Sequence, residues 1–570
     1  MAGLDDVITP DKPDAPPQSS VSAETGTLQI SALLTGTTTL LASCGGGSGG
    51  NSGSPGTSPP PVTPTPVPND ADAARFLLHA SLAATDADIQ YVINNGKEAW
   101  INQQATMTSS LSRVAWLNNA GFSAVANMNS TAGLDNVLWH HLIAEKNSFV
   151  QRIALFWSEF FVVSVLGLPV AWRQFMAASY MDTLEKNALG NFRDLLKAVT
   201  LSPGMGEYLS LAGSQKANAA TNRHPDENYA REIMQLFTIG LYQLNPDGSV
   251  ALNASKQPID TYSQNDVLGL AAAFTGWNFS GTNTSYAYAV TPMVMTEGNH
   301  QGSTANTFLG VTIPSGTTGA QSLEIILDTL FKHDNVPPFV ARRMIQNLVS
   351  SNPSAAYIQR VANVFINNGK GVRGDLLAVV KAVLLDAEAS QAVQTLNGKV
   401  REPMLRLVQW GRTFGAVTAT GVWGLGDTSD PSTRLSQSPL RAPSVFGYFD
   451  PIYSPPNSAL SAQYLLAPEM QLIDENSVAG YLNYLQNFVT NGASDLIAPY
   501  ATELTLATNA TQLVARLNLL LTANQLSSTT INSITGAINA MPVTTAANLL
   551  GRVQAAVYLV MASPDYLVIR

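Results

Sequence analysis

Along most of the chain, apolar residues recur at spacings of three and four, the period of a helix with one buried face. The pattern starts at Asp70, after which Ala73, Ala74, Leu77 and Leu78 share a face. It predicts two helices rich in Trp, Phe, Leu and Val within residues 133–166. Residues 191–209 read as a helix, a Ser202-Pro203 break and a second helix. Another helix is expected from Asp226, a good N-cap, to Gly240, a good C-terminal stop. Further helices are expected at 266–277, 323–331, 340–349, 355–367, 376–385 and 400–414, and the pattern returns after residue 459. Two intervals interrupt it. Residues 278–315, rich in Gly, Thr, Asn and Ser, read as loop with short strands; residues 428–458 are rich in Pro and Ser and irregular. Loops of this length inside a compact domain carry sites more often than filler. No repeat has a fixed period. The expected fold is mainly all-α: a large multi-helix body over residues 70–570, single or as two packed halves, with long irregular loops and at most minor β.

The chain before Asp70 follows another logic. An apolar run over residues 28–42 has the length of an export signal rather than of a membrane span. It ends in Leu41-Ala42-Ser43-Cys44, the order apolar, small, small, cysteine that suits a lipoprotein cleavage site. The small residues suit a narrow peptidase pocket, and the thiol takes the lipid. Lys12 is the one basic residue before the run, where export signals normally begin positively charged. Residues 45–69, rich in Gly, Ser and Pro, cannot bury enough surface to fold and read as a disordered tether. The expectation is a signal segment over 1–44, lipidation at Cys44, and an exported protein anchored in a membrane, facing periplasm or cell surface.

Composition narrows the partners. Hydrophobic residues make up 45% of the chain and charged ones 12%, enough for a large core with a surface built on Ser, Thr, Asn and Gln. A net charge of -10 argues against a nucleic-acid partner, which needs a basic face. It argues equally against charge-driven docking on anionic lipid. No apolar run reaches the roughly 20 residues of a spanning helix; the nearest, 153–168, is interrupted by Ser158, Glu159 and Ser164 and reads as a core helix. Cys44 is the one cysteine, which excludes an intramolecular disulfide and a Cys-based zinc site.

Several segments carry a recognisable pattern. His224-Pro225-Asp226-Glu227-Asn228-Tyr229-Ala230-Arg231-Glu232-Ile233-Met234-Gln235-Leu236-Phe237-Thr238-Ile239-Gly240 is the longest. Others are Gly190-Asn191-Phe192-Arg193-Asp194-Leu195-Leu196, Thr275-Gly276-Trp277, Gly371-Val372-Arg373-Gly374-Asp375-Leu376, Arg401-Glu402-Pro403 and Pro443-Ser444-Val445-Phe446. Together they resemble the domain-of-unknown-function family 1800, from about Arg75 onward. The resemblance implies an exported, helical bacterial protein of no established activity. It also implies a partner, a sulfatase-like exported protein of the domain-of-unknown-function family 1501. Many members have a His-Asn-His-Phe run where this chain has Ser158-Glu159-Phe160-Phe161, and His-Asp where it has His300-Gln301. Those departures remove potential metal ligands.

In the 224–240 segment, Asn228, Arg231, Glu232 and Gln235 fall on one helical face. As the wall of a cleft, Arg231 would bind an anionic group and Glu232 would act as acid or base, with Asp266 a third catalytic candidate. As a structural stripe, the same residues would form ion pairs, Glu227 with Arg231 first. Trp277 suits stacking on a sugar ring or a place in the core. His224 and His300 are candidate binding residues. Glu159, in an almost wholly apolar helix, would have a raised pKa unless paired with a cation such as Arg152. The six histidines show no zinc spacing, no nucleophile elbow or phosphate loop is present, and no metal or cofactor is expected. Two functions compete: an accessory protein binding a polymer, glycan or partner protein, and a carboxylate-dependent, hydrolase-like envelope enzyme acting on a glycan or other polymer.

Overall fold

Asn69 opens the first helix, Asp70–Ala80, by accepting the Asp72 N–H on its side chain, and Ala73, Ala74 and Leu77 are fully buried beneath it. The computed structural model describes residues 69–390 and 398–570, so the expected signal segment, with Cys44, and the expected tether as far as residue 68 lie outside the described residues. The protein is 54% helical, with 24 helices among the described residues, and its fold is mainly all-α. None of these helices is long and apolar enough to cross a membrane.

The β content is four antiparallel ribbons of two strands each among the described residues. β1 (Trp277–Asn278) pairs with β2 (Val294–Met295), and β3 (Asn306–Phe308) with β4 (Val311–Ile313). β5 (Lys399–Val400) pairs with the distant β8 (Val568–Ile569), and β6 (Val417–Thr418) with β7 (Leu496–Ile497). The helix Gln264–Phe274 lies so close on β3 that a Cβ at Gly269 would meet the Thr307 carbonyl oxygen at 1.8 Å, so only glycine fits there.

Three boundaries differ from the periodicity. The helix expected over 226–240 is Asn228–Gln235, with Glu227 rather than Asp226 at its cap. Past Gln235 the chain tightens: the Ile239 and Gly240 N–H groups both reach the Met234 carbonyl, and Gly240 closes that turn at φ 72°. The next helix starts earlier than expected, at Gln264. Ser263 caps it, and Asp266 returns the bond from the third position as a capping box. Trp277 falls in β1. The helix expected from Val400 begins at Pro403 instead, because proline lacks an N–H and opens the helix Pro403–Thr413 at its first position, and Val400 lies in strand β5.

Two buried clusters form the interior. One centres on Trp157, Phe192 and Phe237, the other on Trp410, Phe488 and Val557. The helix Ser148–Phe160 serves both, giving Phe156 and Trp157 to the first and Leu155 to the second. Every one of its residues is buried except Glu159, which is partly so.

Candidate functional site

Arg152 and Glu159 stand two turns apart on that helix, and Asn347 joins them. Arg152 donates to the Asn347 side-chain oxygen (2.9 Å) and to its carbonyl (2.7 Å). Asn347 in turn donates its amide to Glu159 Oε2 at 2.7 Å. Glu159 Oε1 is shielded from solvent and receives no N–H or O–H donor. A second carboxyl, that of Glu402, is near enough to act on Glu159. Glu402 has no exposure, accepts from Gln437 Nε2 at 2.8 Å and pairs with Lys399 Nζ at 3.3 Å. Lys399 also bonds Glu469, and both side chains are almost fully buried. Lys399 reaches this interior from β5, and Glu402 from the turn before Pro403.

Three carboxyls, Glu159, Glu402 and Glu469, share this interior with Arg152, Lys399 and, on the cavity wall, Arg343, so the state of each is set by its own burial and nearest charges. Burial raises the Glu159 pKa well above the ordinary range, and the neighbouring Glu402 charge adds to it; Arg152 and Lys399 offset only part. Burial also acts on Glu402, but Lys399, Glu159, Arg152 and Gln437 outweigh it and hold this carboxyl low. Glu469 is raised by burial despite Lys399. Burial thus favours the protonated form of Glu159, while its partners favour the ionised form of Glu402.

Glu159, Lys399 and Glu469 face a cavity of about 40 Å³, whose other walls include Phe156, Phe160 and Arg343. Burial pulls the Arg343 pKa down to about 10, against the opposing pull of Asp450 and Glu159. The roof is Phe446, Gly447, Tyr448, Phe449 and Pro451, all from the irregular 428–458 stretch. Space of this size admits water, and a larger group enters only if the roof moves.

A family model described as a protein of unknown function, DUF1800, matches residues 75–568, nearly the whole of the described chain. The protein belongs to the DUF1800 family. No match was found among curated proteins or among solved structures.

The DUF1800 segment at 224–240 places its polar stripe elsewhere than this cavity. Arg231 is about one-third exposed, pairs with Glu227 at 3.0 Å and bonds Gln264 at 3.1 Å. Asn228 and His224 are exposed. Gln235 accepts from the Tyr262 hydroxyl at 3.0 Å. Glu232 is buried with Oε2 unpartnered, and burial raises its pKa against the opposing charge of Arg231. Burial tends to raise Asp266 as well, but bonds from Ser263 and the Leu309 N–H outweigh it and hold the carboxylate low in its cap. Trp277 is a buried aromatic in β1. His300 is buried between the Thr275 carbonyl (3.0 Å) and the Ser322 hydroxyl (3.1 Å). Arg231, Glu232 and Gln235 thus share a helix face as expected, while Asp266, Trp277 and His300 each have structural partners of their own. None of these residues lines the Glu159 cavity.

Of the residues around that cavity, sequence reasoning singled out Glu159 with Arg152. It missed Lys399, Glu402, Glu469 and Arg343. Arg401-Glu402-Pro403 was visible as a family segment, and a carboxylate beside a helix-opening proline was the available signal.

Proposed function

We propose that this DUF1800 protein is a carboxyl-dependent, hydrolase-like enzyme of the cell envelope, with Glu159 as the proton donor. The observation that carries the reading is Glu159 itself, a carboxyl with a shielded, unpartnered Oε1 that lines a water-sized cavity, its pKa raised by burial while Lys399 helps to hold the neighbouring Glu402 low. Glu159 hands its proton to the leaving oxygen as that bond breaks, water adds to the same centre, and the Glu159 carboxylate so formed takes up the water's proton; Glu402 supports the charge change from behind, and Arg343 holds an anionic or polar group of the substrate. Acid-base activation of water is the chemistry that fits. The cavity's small volume also supports a second reading, a binding protein that seats only the end of a polymer or of a partner's side chain.

Glu159→Gln separates these. Gln is isosteric with a protonated Glu, so the variant should melt within about 1 kcal/mol of wild type. The infrared band of a protonated carboxyl at neutral pH should vanish with it, as should release of new chain ends from an envelope polysaccharide fraction. A wild type without that band has an ionised Glu159, and the proton-donor role fails. Chain-end release unchanged by the substitution leaves the binding reading.

The address proposed with this function is export and lipid anchoring. It is supported by Leu41-Ala42-Ser43-Cys44 at the end of the apolar run. Cys44→Ala should move the protein from the membrane fraction to the soluble one; a wild type already soluble refutes the anchor. A sulfatase-like partner of family 1501 belongs to the same proposal, as a co-purifying protein.

A further inference from the structure

The helix Leu134–Ala144 ends in a pair of adjacent histidines and a capping glutamate, Glu145. Glu145 lies one turn beyond His141 and so returns to the same side. One ligand atom from each of His140, His141 and Glu145 lies within 4.8 Å of the other two. His141 is fully buried, and both its ring nitrogens are shielded without a hydrogen-bond partner. His140 Nδ1 is also shielded and unpartnered. A buried imidazole with nothing to bond is costly, and three donors aimed at one another share a common remedy.

The surroundings orient these groups as the partners of metal ligands do. His141 Nδ1 faces Glu185 Oε2 at 3.7 Å, which leaves Nε2 as the free donor. Glu185 is itself fixed by Arg113 at 2.6 Å and Ser109 at 2.5 Å. The Glu145 carboxylate is held at both oxygens by Ser110, through its N–H (3.0 Å) and its hydroxyl (2.5 Å). Arg412 clamps the end of the helix by donating to the His141 and Glu145 carbonyls at 3.3 and 2.9 Å. The nearby Arg113 charge is met by Asp182 and Glu185.

We propose that His140, His141 and Glu145 bind a divalent transition-metal ion, with the remaining coordination positions open. Two imidazoles and one carboxylate are the donor set of catalytic zinc and non-haem iron sites. Hard cations such as Ca²⁺ and Mg²⁺ prefer all-oxygen sites and are not expected here. This site is independent of the Glu159 reading: neither needs the other.

Zn²⁺ titration of the full, chelator-treated chain by calorimetry tests it. One tight equivalent is expected, unchanged by Cys44→Ala, together with visible ligand-field absorption when Co²⁺ is used. Glu185→Gln should weaken binding about 10- to 100-fold. His140→Ala and Glu145→Gln should each abolish the tight equivalent. His140 is only half-buried, so its variant should still melt as the metal-free wild type does, but without the upward shift that bound Zn²⁺ produces. No tight equivalent in wild type, or one that survives both His140→Ala and Glu145→Gln, overturns the proposal.

Discussion

Lys399→Met should lower stability by about 3–5 kcal/mol, the usual cost of stranding a buried charge by removing its partner. Lys399 is the cation that faces both Glu402 and Glu469, and all three side chains are almost fully buried. Methionine matches the stem but leaves two carboxyls without it. The loss should depend on pH in a set direction. Glu402 lies below its ordinary 4.5, so it stabilises the fold above that pH, and this contribution is lost as pH falls through its folded value. Glu159 and Glu469 lie above 4.5, so their contribution is present at low pH and is lost as pH rises. Removing Lys399 raises all three. The gap between variant and wild type should therefore be widest near neutral pH and narrow on acidification. Urea unfolding at pH 7 and pH 5 measures it. A gap under about 1 kcal/mol, or one constant with pH, would show that Lys399 does not hold the cluster together.

Arg113→Met should cost a similar amount, about 3–5 kcal/mol, at a different place. Arg113 is buried and donates to Asp182 at 3.2 Å, Glu185 at 2.6 Å and Gln151 at 2.7 Å. Burial pushes the Glu185 pKa up, but His141, Arg113, Ser109 and Gln151 together hold it far below 4.5. The Glu185 contribution is therefore full above pH 4.5 and is lost in acid as pH falls through the folded value. Without Arg113 much of it disappears. The variant should be weaker at neutral pH and lose less of its remaining stability on acidification. If its thermal unfolding at pH 7 matches wild type, the guanidinium is not the keystone of this junction.

The fold was legible because its signals are local. Ala73, Ala74, Leu77 and Leu78 mark a buried face without reference to anything distant. The stripe of Arg231, Glu232 and Gln235 was legible for the same reason, since a shared helix face follows from the period alone. What that face meets does not. Glu159 stood out as a carboxyl among apolar neighbours, yet its state depends on Glu402 and Lys399, brought in from a segment more than 200 residues away in the sequence. Residues 428–458 were legible as irregular but not as a roof. His140, His141 and Glu145 escaped because the zinc spacings sought were His-x-x-x-His and His-Glu-x-x-His, whereas here two histidines are adjacent and the carboxylate follows four residues after the second.

The β5–β8 ribbon carries one more consequence. Lys399 and Val400 are held by Ile569 and Val568, and the Arg401 N–H reaches the Leu567 carbonyl at 2.8 Å. Contacts between segments this far apart form slowly, because a long loop must close before they are rewarded. The shortest contiguous segment that contains Arg152, Glu159, Lys399 and Glu469 together with the strand that steadies Lys399 runs from Arg152 to Ile569. A ligand seated at Glu159 would therefore act at a distance along the chain, since whatever binds only the closed state suppresses its opening. Amide hydrogens at residues 399–401 and 567–569 should exchange more slowly in its presence, which makes that ribbon a reporter for finding the ligand.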